Sequence, residues 1–221
     1  MKRGRNYLTQ FLIRLYADTE WTRGAVHEWL AEWKPNYIVD INRDTQLQDS
    51  FADEQHVLIC GVARITASPF RYRLFQYDGN EYFEVSEEHV DRNLPILFKP
   101  MGTPRSEADF IASDADYVDY ITELMGGFAI PDFLKEYRKN KQYLLIGVPL
   151  NRDTERMVMS DIIYSGQSAK GWVLNNNPTQ KEQRFCEKMG LKIISSDVTS
   201  LLETVGYNLQ TLPLSAMSTG C

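Results

Sequence analysis

Hydrophobic positions recur every three or four residues at the start of the chain and then switch to short unbroken runs. Tyr7, Phe11, Leu12 and Leu15 share one helical face, and Val26, Trp29, Leu30 and Trp33 share another. This spacing predicts two opening amphipathic helices. Thr22 is placed to cap the second, and Pro35 ends it, because the residue before a proline avoids helical backbone. Residues 37–41 form a β-branched run, expected as a buried strand that breaks at Asn42, Arg43 and Asp44 before a helix through Leu47. Residues 56–63 follow a strand pattern, and residues 70–77 alternate bulky and polar side chains. Asp78 and Gly79 are a favoured hairpin turn, with Tyr82 and Phe83 on the returning arm. Residues 56–85 are therefore expected as an inserted antiparallel β-hairpin at one side of the main sheet.

From there strand and helix patterns alternate. A strand at 94–98 leads into a loop with Gly102 and Pro104. Ser113, with Asp116 three residues on, has the form of a capping box opening a helix through Leu124, and Gly126 and Gly127 stop it. Pro131 starts another helix. Strands are predicted at 143–146, 172–174 and 192–194, with helices from Asp153 to Ile163, over 179–189 and over about 198–205. Repeated strand–helix units imply an α/β fold with a mostly parallel sheet flanked by helices. No linker interrupts the pattern, so residues 1–221 are expected as a single domain.

Composition narrows the function classes. The net charge of −6 argues against a nucleic-acid partner, since an acidic surface repels a phosphate backbone. No apolar run approaches the ~20 residues of a spanning helix, which argues against a membrane partner. The start of the chain is basic, but its apolar stretch contains Gln10 and Arg14, so a signal peptide is not expected. Cys60, Cys186 and Cys221 are far apart and odd in number, which supports neither a zinc site nor a disulfide framework and suits the cytoplasm. His27, His56 and His89 lack metal-ligand spacing and are expected as surface or capped residues, with no metal site.

Glycine-rich dinucleotide loops, phosphate-binding P-loops and serine-nucleophile elbows are absent as sequence motifs. In an α/β sheet, ligands bind beyond the carboxyl ends of the strands. Three loops qualify, namely those carrying Asn42 to Asp44, Lys99 to Thr103, and Gly147 to Asp153. The last ends at a helix N-terminus, where backbone N–H groups favour an anion and Arg152 would add a forked donor. The bland alternatives remain open. Asp44 and Asp153 fit as caps, Gly102 and Gly147 as tight turns, and Arg152 as a solvated side chain.

The order of these segments resembles the sirtuin-like family (silent-information-regulator type). Residues 38–44 are similar to that family's strand followed by Asn-x-Asp. Residues 94–102 are similar to its strand running into Lys-x-His-Gly, and residues 112–117 to the polar opening of its next helix. Residues 143–153 are similar to its later strand, glycine loop and aspartate. The resemblance implies a Rossmann-like, NAD-consuming domain in a divergent, N-terminally truncated form. It places Asn42 and Asp44 by the nicotinamide ribose, and it implies Asn42, Asp44, Gly102, Gly147 and Arg152 as the cofactor-binding set. Met101 stands where the family carries its histidine base, and a thioether takes no proton near pH 7. Val148 and Pro149 replace a hydroxyl donor and a backbone N–H. With these losses the resemblance implies a catalytically inactive domain with no catalytic residues. It would act as a binding or regulatory module and keep a residual nucleotide pocket. No resident cofactor is expected, NAD or ADP-ribose being the ligand such a pocket would take, and the partner is a protein or a second copy. The alternative is a divergent NAD glycohydrolase or NAD-dependent deacylase, with Asn42 and Asp44 as its working residues.

Overall fold

The structure is a computed structural model that describes residues 4–19, 21, 24–63, 69–105, 109–163 and 170–207. The described residues divide into two compact units, one up to Glu123 and one from Leu124.

The first unit opens with α1 (Gly4–Tyr16) and α2 (Ala25–Trp33). Gly24 caps α2, with its carbonyl accepting from the His27 N–H at 2.9 Å and its own N–H donating to His27 Nδ1 at 3.2 Å. The expected cap, Thr22, lies outside the described residues. The two helices bury less of their aromatic faces than the periodicity predicts, because Tyr7, Phe11 and Trp33 remain exposed. Then follow β1 (Tyr37–Val39), α3 (Gln46–Ser50), β2 (His56–Gly61), β3 (Tyr72–Tyr77), β4 (Tyr82–Glu84), β5 (Ile96–Lys99) and α4 (Asp114–Gly126), within which the boundary at Glu123 falls. The sheet order is β1-β5-β2-β3-β4. β5 runs parallel to both β1 and β2, whereas β3 is antiparallel to β2 and β4 is antiparallel to β3.

The sheet is thus mixed rather than purely parallel. The hairpin is also shorter than expected. β2 belongs to the centre of the sheet, and only β3 and β4 extend it in the antiparallel sense. Every residue of β2 and of β5 is buried, as a strand covered on both faces requires. α3 seals one face by packing Leu47 and Phe51 on Leu58, Cys60, Phe75 and Leu97. Ser113 and Asp116 form the expected capping box at α4, with Asp116 N–H to Ser113 Oγ at 3.2 Å and Ser113 N–H to Asp116 Oδ2 at 2.9 Å.

The second unit contains α5 (Asp132–Tyr137), β6 (Gln142–Leu145), α6 (Asp153–Ile163), β7 (Lys170–Leu174), α7 (Gln180–Met189), β8 (Leu191–Ile194) and α8 (Val198–Thr204). Its three strands form a wholly parallel sheet in the order β6-β7-β8. Parallel strands joined by helices bury both faces, and Leu150, Ile162, Ile163, Val173 and Leu202 form that interior. Where the sequence pattern suggested one continuous sheet, the described strands form two separately hydrogen-bonded sheets. Residues 64–68 of the expected hairpin and the tail from Asn208 lie outside the described residues.

Candidate functional site

β1 and β5 are neighbours in parallel register, with Val39 opposite Phe98, so the loops that follow them leave the same end of the sheet. One carries Asn42 and Asp44, and the other carries Met101 and Gly102. The ladder extends one step past β1 through the Asp40 N–H to the Phe98 carbonyl at 2.8 Å. There Lys99 is wholly buried, and its Nζ meets Asp40 Oδ2 at 2.5 Å. Asp40 Oδ1 accepts from the Asn42 N–H at 2.9 Å, which turns the chain and leaves Asn42 exposed. Asp44 is half-buried and accepts from the Gln46 N–H at 3.0 Å, so it helps start α3.

The second loop is shaped by two glycines. A Cβ on Gly61, at the end of β2, would sit 2.0 Å from the Pro100 carbonyl oxygen, so only glycine lets the loop cross there. Gly102 has φ +84°, and a Cβ on it would sit 2.5 Å from the Asp109 carbonyl oxygen. Between them the Met101 side chain is buried. Thr103, also buried, donates to Gln48 Oε1 at 2.6 Å and ties the loop to α3. Arg43 ties the first loop to the segment before α4. Its Nε donates to the Ile111 carbonyl at 3.1 Å, and its Nη2 donates to the Tyr117 hydroxyl at 3.0 Å.

The three imidazoles have local partners. His27 caps its own helix, and His89 pairs with Ser86 Oγ at 2.8 Å. His56 is not a surface residue, because it is buried at the first position of β2 with both ring nitrogens partnered. Its Nδ1 lies 2.8 Å from the Glu54 carbonyl, which can only accept, so Nδ1 carries the proton. Its Nε2 therefore accepts from the Tyr82 hydroxyl at 2.7 Å. Burial pushes the His56 pKa down, outweighing the Glu54 carbonyl.

In the second unit, Gly147 follows β6 with φ +62° and open space where a Cβ would point. Its glycine therefore serves the turn. Arg152 is mostly exposed and faces Glu155 at 3.7 Å. The first turn of α6 already holds two carboxylates, Asp153 and Glu155. Arg156 is consumed internally by Asp153 and the Leu150 carbonyl. These carboxylates offset the helix dipole, so this N-terminus is a poor seat for an anion.

The structure therefore brings Asn42, Asp44, Met101 and Gly102 to one end of the first sheet, while Gly147 and Arg152 belong to the second unit. A dinucleotide's ribose would find polar groups at Asn42 and Asp44. In the second unit, α6 opens on Asp153 and Glu155, with Arg152 turned to Glu155. The Asp40–Lys99 pair is not among the site residues that the sequence predicts. Its signal was a lysine ending an apolar strand, since a buried ammonium requires a carboxylate. Among the described residues, no group of three or more His, Cys, Asp or Glu side chains is placed to hold a metal ion, and no helix is long and apolar enough to cross a membrane.

A family model described as a SIR2-like domain matches residues 36–194. No curated protein gives a significant match to the chain.

Proposed function

Because the chain belongs to the SIR2-like domain family, we propose that it is a non-catalytic member of that family, working as a binding or regulatory module on a Rossmann-like scaffold. The observation that carries this reading is Met101. It is buried on the loop after β5, at the position where the family resemblance calls for an ionisable ring. A thioether neither takes nor gives a proton near neutral pH, so the ribose hydroxyls of a bound nucleotide would meet no base there. What remains of the pocket is the polar rim of Asn42 and Asp44 beside Gly102. Gly147 and Arg152 contribute little, because Asp153 and Glu155 repel an anion at α6.

The partner in this reading is a protein or a second copy of the chain, and exposed aromatic side chains such as Tyr7 and Phe11 on α1 are candidates to meet it. Light scattering at micromolar concentration is expected to give a mass above 25.6 kDa once that surface is covered.

Two measurements test the proposal. Incubation with NAD is expected to release no nicotinamide. Calorimetric titration with ADP-ribose is expected to show weak binding, reduced about tenfold when Asn42→Ala removes one hydrogen-bonding side chain. Nicotinamide release that disappears in Asn42→Ala would overturn the reading. It would favour a divergent NAD glycohydrolase or deacylase, in which the retained Asp44 carboxylate stabilises a cationic sugar.

A further inference from the structure

The helix α1 lies ahead of the matched stretch and has one buried residue, Leu12. Its outer face leaves Tyr7 and Phe11 exposed. A helix of 13 residues with one buried side chain, and with Leu8, Ile13 and Leu15 half-buried, gains from a further hold. Arg5 supplies it. One guanidinium nitrogen bonds the Asp116 carboxylate, and the other reaches Asp109 Oδ1 at 3.0 Å and the Phe110 carbonyl at 3.3 Å. At the far end of the helix, the Tyr16 ring packs 6.1 Å from that of Phe110.

The segment that α1 grips is the one lying on the candidate site's loop. The Ile111 N–H donates to the Met101 carbonyl at 3.2 Å. The Asp109 carbonyl presses on Gly102 so closely that a Cβ there would be 2.5 Å away. Arg43 holds the Ile111 carbonyl from the Asn42 side. Burial opposes the charge on Asp116, but the Ser113 amide and Arg5 outweigh it and hold the carboxyl below its usual range. The grip is therefore charged at neutral pH.

We propose that α1 is an electrostatic strap: Arg5 clamps residues 109–116 against the turn at Met101 and Gly102, and releasing Arg5 frees that turn without unfolding the sheet. The strap is sensitive to salt, because the Arg5 and Asp109 side chains are each about a quarter exposed. This inference stands whether or not a nucleotide binds nearby.

Amide hydrogen exchange on the full chain tests it. In Arg5→Ala, exchange across 109–113 is expected to rise about tenfold or more, the cost of losing a charge-assisted bond. Protection at Val57 and Leu58 in β2 should stay unchanged, and Arg5→Lys should recover part of the loss. The unmodified chain should show the same local loosening as salt rises. Unchanged protection at 109–113 overturns the proposal, and so does equal loosening of 109–113 and β2. Should Arg5→Ala not fold, the salt series decides alone, with local loosening in support and uniform or absent loosening against.

Discussion

Lys99 buries its ammonium where water does not reach, and Asp40 makes that tolerable. Removing one partner strands the other. Lys99→Ala is expected to cost roughly 3–5 kcal/mol in urea unfolding, whereas the double variant Lys99→Met with Asp40→Leu should recover most of that loss. His56 gives the molecule a second handle. Its folded pKa is depressed by burial, while the unfolded chain takes up the proton near the ordinary value of about 6.5. Its contribution is complete above that pH and is lost as pH falls through the folded pKa. Unfolding free energies from urea titrations between pH 7.5 and 5 should decline by up to about 1.4 kcal/mol per pH unit, and His56→Gln should flatten the slope. Neither role was legible from residue type alone. Three scattered histidines look alike in a sequence, and only the carbonyl of Glu54 and the hydroxyl of Tyr82 single out His56.

At the scale of the element, two glycines that look equivalent in sequence do different work. Gly61 sits where β2 passes the loop from β5, and its missing Cβ makes room for the Pro100 carbonyl. Gly61→Ala must push backbone apart and is expected to cost about 1–3 kcal/mol or more in thermal or urea unfolding. Gly147 has open space around it and needs only its left-handed φ, so Gly147→Ala should cost about 1–2 kcal/mol. A larger loss at Gly147 than at Gly61 would contradict this account. Most elements were readable in advance, including the capping box at Ser113 and Asp116 and the helix that starts after Thr179. The role of β2 was not. Its pattern announced an arm of the hairpin but not its second neighbour, β5, where Val57 pairs with Ile96, 39 positions further along the chain.

At the scale of the whole molecule, charge and architecture act together. With a net charge of −6, the protein is expected to show no mobility shift with DNA or RNA at physiological salt, because a net negative charge repels phosphates. Helix periodicity, caps and strand runs were determined by the sequence itself, because each depends on residues within a few positions of one another. The mixed order β1-β5-β2-β3-β4, the division into two units, the pairing of Lys99 with Asp40 and the reach of Arg5 to Asp116 were decided only by the tertiary structure. Those contacts join residues 59 and 111 positions apart, and no local pattern of polar and apolar side chains specifies which distant partner will neutralise a buried charge.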